Sequence, residues 1–302
     1  MTTPSEFPID AFDRIKQSPG DFRLLERVPI TRDDTTFPIA PNPPVGDDRP
    51  FIILDVETTG FDPSVEKIIE IGLVTGLYSP SANRITQLTG AYSQFEDPGK
   101  PIPEEITRIT GITDDDVAGQ RIDDDWLLSM FEGDPLVLAH NAGFDRPFTE
   151  ARFPGLANSG WACTIKGIDW AGLGFESSKL EYLLLRHGYF YQGHRASIDC
   201  LATAWLLHAN PEAFPQLLAS ARQPTVVIRA FGAPFEVKDQ LKSRGYRWHA
   251  GDEGSNKCWW TEIPETDLQE EQRYLAEAYP GGSDRAHYER RTARTRFIGP
   301  LK

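Results

Sequence analysis

Five side chains in three separated stretches have the types that phosphodiester hydrolysis needs. They are Asp55 and Glu57 in FIILDVETTG, Asp145 in HNAGFD, and His194 and Asp199 in HRASID. In the first stretch the two acids stand at i and i+2, so on a strand both point to one face. Two carboxylates that close repel unless a cation lies between them. The plain alternative is a strand end with solvated acids, but the apolar run before and the TTG after favour a built site. Asp145 follows the apolar run PLVLA and opens a helix, at the edge of a sheet where sites form. Taken alone it reads as a helix N-cap. Asp199 begins another apolar helix, and His194, on the loop before it, taken alone is a surface histidine. Four carboxylates together offer hard oxygen ligands, which select Mg²⁺ or Mn²⁺. Paired ions about 3.5–4 Å apart activate a water and stabilise a leaving oxygen in such sites.

In this order the three stretches resemble the exonuclease motifs of the DEDDh class of DnaQ-like 3′–5′ exonucleases, over roughly residues 50–210. The H-x4-D spacing of His194 and Asp199 is that of the DEDDh class. A sister class carries tyrosine where this chain has Arg195, and Tyr189 and Tyr191 lie too far upstream to replace it. The resemblance implies that Asp55, Glu57 and Asp199 hold a first ion and that Asp55 also bridges to a second. It implies that Asp145 acts mostly through water and that His194 is the general base, for which an imidazole is suited. The product implied is a nucleoside 5′-monophosphate. Thr58, Thr59 and Gly60 form a tight turn whose backbone can approach the terminal sugar. The phrase ITGITDDDV, with Ile112, resembles the segment that contacts the terminal nucleotide, although the family often has His where this chain has Thr110. Asn141 matches a residue that helps hold its loop, with His140 bracing the turn. The partner implied is nucleic acid with a free 3′ end, by preference single-stranded DNA. An exoribonuclease and a polymerase-bound proofreading subunit are the alternatives.

The elements that would position these residues are legible. Residues 51–56, 67–79 and 84–95 read as three strands at hairpin spacing. PEEITRIT (103–110) reads as a short helix, and Thr113 and Asp123 as N-caps of two more. Then come a strand at 135–141, a helix at 144–153, a strand at 161–168, and helices at 179–188 and 196–210. Strands followed by alternating helix and strand give a mixed α/β sheet flanked by helices, which resembles the family's ribonuclease H-like fold. The exonuclease domain is expected over 51–215. Before it, residues 1–50 form an extension with a helix-like piece around Ile9–Ile15 and a linker with five prolines between 37 and 50. After it, residues 222–280 read as a small β-α-β-α module. Its Trp248, Trp259 and Trp260 make a core, with stacking against nucleic acid beside Lys238, Lys242, Arg244, Arg247 and Lys257 as the other reading. The tail 281–302 has a formal balance of +4 and reads as a solvated end. A protein partner through the module is a further expectation.

Composition sets the outer limits. The 302 residues include seven Trp and 17 Phe, enough for one medium and one small core. A net charge of −14 argues against a protein that coats nucleic acid nonspecifically, though not against one local basic groove. Cys163, Cys200 and Cys258 lie far apart, with neither a zinc pair nor an even disulfide set, and are expected as buried thiols. No apolar run is long enough for a membrane span. MTTPSEFPIDAFDRIK lacks the pattern of a secretory signal, so a cytoplasmic place is expected.

Overall fold

A computed structural model describes residues 12–251 and 256–298. The chain enters through a short helix, α1 (Phe12–Gln17), and a two-residue strand, β1 (Glu26–Arg27). The part of the expected helix before Phe12 lies outside the described residues. The proline-rich segment then runs along the outer strand. Ile39 and Leu88 exchange backbone bonds, the Asn42 amide donates to the Ile85 carbonyl, and the Thr86 hydroxyl donates to Asp48.

Three long antiparallel strands follow, β2 (Arg49–Thr58), β3 (Ile68–Ser79) and β4 (Arg84–Phe95). Next come helices α2 (Glu104–Thr110), α3 (Asp114–Val117) and α4 (Asp124–Met130), strand β5 (Leu136–Ala139), helix α5 (Ala142–Arg152) and strand β6 (Trp161–Cys163). Helix α6 (Leu180–Arg186), strand β7 (Tyr189–Phe190), and helices α7 (Ala196–Ala209) and α8 (Ala213–Arg222) complete this part. The sheet order is β4-β3-β2-β5-β6, with β2, β5 and β6 parallel, which is the mixed ribonuclease H-like arrangement. The capping acids work as read: Asp116 reaches back to Thr113, and Asp123 accepts from the Trp126 N–H. The strand expected over 161–168 stops at Cys163 and turns.

Strand β2 is apolar throughout because both of its faces are covered. Phe51 and Ile53 face a core shared with α6, α7 and α8, while Ile52, Leu54 and Val56 face one shared with α4 and α5. The strand period of two then carries Asp55 and Glu57 to the face beneath α7. Helix α7 lies very close to the sheet. At Gly72, opposite Asp55 on β3, an added Cβ would stand 2.2 Å from the Ala196 carbonyl carbon. A glycine inside an apolar strand often marks such a close approach.

The C-terminal module contains β8 (Thr225–Ala230), α9 (Lys238–Ser243), β9 (Arg247–His249), β10 (Cys258–Pro264), α10 (Leu268–Ala278) and β11 (His287–Arg291). Its sheet order is β11-β8-β10-β9, all antiparallel. Helix α9 ends at Ser243, and residues 247–249, at the close of EVKDQLKSRGYRWH, form β9 instead. Of the three tryptophans expected in the core, only Trp259 is there, with Val226, Ile228, Leu241, Leu275 and Tyr279. Its strand neighbour Trp260 points to the other face, and Trp248 is 52% exposed.

Through residue 298 the tail is not a solvated end. Residues 287–291 form the outer strand β11, and the chain then returns to the larger domain built on β2–β6. There the fully buried guanidinium of Arg146 donates to the carbonyls of Ala293, Arg294, Arg296 and Ala157, and to Glu150. The Trp161 N–H also donates to the Ala293 carbonyl, and Arg296 donates to the Ser220 carbonyl. A buried cation needs this many acceptors, since an unsatisfied one costs several kcal/mol.

Candidate active site

Asp55 and Glu57 stand at the C-terminal end of β2, and Asp199 in the first turn of α7 reaches the same point. One carboxylate oxygen from each lies within 4.8 Å of the others. Among the described residues, no other group of three or more His, Cys, Asp or Glu side chains converges this way. Asp145, from α5, lies alongside and is buried, its Oδ1 accepting the Val56 N–H at 3.2 Å. His194 is exposed on the loop before α7 and has φ +66°, the left-handed region that costs a non-glycine residue energy. The β2–β3 register shifts between Glu57 and Thr58, which pair with Glu70 and Ile68, an irregularity of the kind found beside sites.

Burial and mutual repulsion push these carboxylates up. Glu57 rises to about 8, first from burial and then from the charges of Asp199, Glu70 and Asp145. Burial likewise raises Asp55, Asp145 and Asp199. Hydrogen bonds from Tyr191 and the Arg195 N–H pull Asp199 the other way. Three converging carboxylates held at this cost fit a hard divalent cation, whose charge offsets the repulsion. The cluster of Asp55, Glu57 and Asp199 can bind such a metal.

The surrounding turns are built from internal bonds. The Thr58 hydroxyl donates to the Gly60 carbonyl at 2.6 Å. The Thr59 hydroxyl donates to Glu66, which pairs with Lys100. Both threonine side chains are buried, so the turn offers its backbone rather than its hydroxyls. Ile112 is buried with Ile69, Ile102 and Val117, and the exposed apolar side chain of that segment is Ile109. Asn141 is exposed, with φ +96°, at the start of α5. His140 bonds Thr164 through Nδ1 at 2.6 Å and joins the ends of β5 and β6; burial holds its imidazole down at about 4.

Sequence reasoning missed four residues here. Glu70 lies opposite Glu57 and is fully buried; it accepts from Ser93, from the Arg195 guanidinium and from the Ala196 N–H. It thereby clamps the loop that carries His194 to the sheet. A single acid inside KIIEIGLV was the available signal. Arg195 is the other half of that clamp, and Gly72 is the residue that lets α7 settle. Tyr191, set aside on sequence distance, is brought back by the fold. Its hydroxyl donates to Asp199 Oδ1 at 3.0 Å. Burial and the Asp199 charge raise this phenol, which keeps it a donor.

Fold and site together define a DnaQ-like exonuclease domain. The chain belongs to the exonuclease family RNase_T, which matches residues 52–207. The chain is similar to the PolC-type DNA polymerase III of Thermotoga maritima, 32% identical over 140 residues. That match covers 46% of this chain and 8% of the relative. The PolC-type enzyme of Clostridium perfringens is 38% identical over 103 residues, 33% of this chain and 7% of the relative. The chain thus spans less than a tenth of the length of these curated relatives. Among solved structures, exonuclease X in complex with 5′-overhanging duplex DNA has 27% identity and a TM-score of 0.39, covering 52% of this chain and 89% of that one. E. coli exonuclease I with a dA13 oligonucleotide has 14% identity and a TM-score of 0.48, covering 76% and 70%.

Proposed function

We infer that the protein is a metal-dependent 3′–5′ exonuclease that releases nucleoside 5′-monophosphates from single-stranded DNA. The observation that carries this reading is the convergence of Asp55, Glu57 and Asp199, with Asp145 beside them and His194 on the adjoining loop. Asp55, Glu57 and Asp199 would hold one Mg²⁺ or Mn²⁺, and Asp145 would serve a second ion through water. Such a pair supplies charge neutralisation and a lowered water pKa. The remaining work falls to the chain itself. His194 accepts the proton of the attacking water. Glu70 and Arg195 hold the His194 loop in place, and Tyr191 orients Asp199. The Thr58–Gly60 backbone and the turn before Ile112 meet the terminal sugar and nucleotide, and Asn141 holds the strand next to them. The curated relatives are DNA polymerases, which favours DNA over RNA.

The test is a side-by-side digestion of end-labelled DNA and RNA, single and double stranded, with Mg²⁺, Mn²⁺ or chelator. Stepwise shortening of single-stranded DNA from its 3′ end, blocked by a 3′-phosphate and by chelation, is expected. Faster loss of RNA would change the substrate, and cutting of closed circles would refute end recognition.

A further inference from the structure

Between the exonuclease domain and the C-terminal module lies an open cleft of about 460 Å³. Asn141, the N-cap of α5, and Gly143, in its first turn two residues before Asp145, are among the lining residues. Lys166 follows the C-terminal end of β6, the module adds Arg247 and Trp260, and Arg296 of the returning tail lines it as well. The sheet order places these groups in a row. The ends of β2, β5 and β6 carry Glu57, Asn141 and Lys166 in turn, so the cleft continues the site along one edge, roughly 10 Å across two strand spacings. Lys166 and Arg247 are exposed, and among the described residues neither pairs with a carboxylate. The Arg247 guanidinium lies 5.9 Å from the centre of the half-buried Trp260 ring. Glu262 is the acidic side chain among the lining residues, and it accepts a hydrogen bond from Thr225. In a chain of net charge −14, a cleft with three cations to one acid is a local exception.

We propose that this cleft is a binding track for the single strand upstream of the 3′ end, with Lys166 and Arg247 on phosphates and Trp260 stacking a base. The proposal rests on the nuclease reading above, and it gives the module a task in the same reaction. Cations interleaved with an aromatic face are the chemistry of sequence-tolerant single-strand binding. The terminal nucleotide would sit on the other side of the metal carboxylates, against the Thr58–Gly60 turn, so the cleft serves only strands long enough to extend past Asn141.

The experiment compares the wild type with Lys166→Ala/Arg247→Ala and with Trp260→Phe and Trp260→Ala. Binding of a long fluorescent single strand is titrated in chelator at several salt concentrations, so it does not depend on cleavage. Steady-state rates are measured on the long strand and on a dinucleotide. The double variant should bind the long strand at least tenfold more weakly, with a log–log salt slope flatter by about 1.4, about 0.7 per lost contact. Trp260→Ala should weaken binding with little change in slope, and Trp260→Phe should restore most of it. Rates on the dinucleotide should not move. Unchanged long-strand binding and slope, or equal losses on both substrates, would overturn the track. A wild type that binds through the cleft but cuts nothing would instead sink the nuclease reading.

Discussion

Replacing Gly72 with alanine adds a single methyl group, and its consequence can be worked from distances. The new Cβ would stand 2.2 Å from the Ala196 carbonyl carbon and 2.3 Å from the Ser197 nitrogen, both backbone atoms of α7. Ordinary contact begins at 3.4 Å, so the first turn of α7 must retreat by about 1.2 Å. Asp199 belongs to that turn, and its separation from Asp55 and Glu57 is what makes the cluster. Misplacement by about 1 Å costs on the order of 10²-fold in rate. Overpacking itself costs about 1–3 kcal/mol. Gly76 provides the control, since it lies further along the same strand and its Cβ would meet the Gln87 carbonyl oxygen at 2.4 Å and Phe51 at 2.6 Å. Both variants should melt at a lower temperature by circular dichroism, but only Gly72→Ala should also lose about 10²-fold in nucleotide release while still folded. A folded Gly72→Ala protein that digests strands at the wild-type rate would refute the claim that the approach of α7 sets the site.

Removing the imidazole, in His194→Ala, should lower the rate by about 10²–10⁴-fold. Mn²⁺ affinity, read by calorimetry, should stay the same, and a loss equal to that of Asp199→Ala would show a ligand rather than a base. In chelator, melting temperature should fall as pH rises from about 4.5 to about 8, because Glu57 holds its proton more tightly folded than unfolded. Saturating Mg²⁺ or Mn²⁺ should flatten that slope by stabilising the ionised cluster, and Glu57→Gln should flatten it without metal; a slope indifferent to both would contradict the repulsion described here. A chain ending at Arg291 keeps β11 but removes the Ala293, Arg294 and Arg296 carbonyls from buried Arg146. Each lost acceptor costs about 1–3 kcal/mol, so its melting temperature should drop sharply, and an unchanged melt would mean that the returning tail contributes nothing to stability.

Local pattern was enough for much of this protein. The apolar run 51–56 specifies a strand buried on both faces, and the i, i+2 spacing puts Asp55 and Glu57 on one of them, because strand geometry repeats every two residues. Capping chemistry at Thr113 and Asp123, and the helix that opens near Asp199, are equally short-range. Other features depend on which residues meet across the sheet, and no local period encodes that. Glu70 sits 13 positions from Glu57 in sequence, yet pairing with β2 places it opposite, and α7 closes over it. Tyr191 looked too distant from Asp199 until the loop after β7 folded its hydroxyl onto the carboxylate. The alternation of Trp259 and Trp260 could be read along β10, but which face was core followed from packing against α10. A run of arginines after residue 284 read as solvated because charge alone cannot reveal the backbone carbonyls that a buried Arg146, more than 140 residues earlier, draws into the interior.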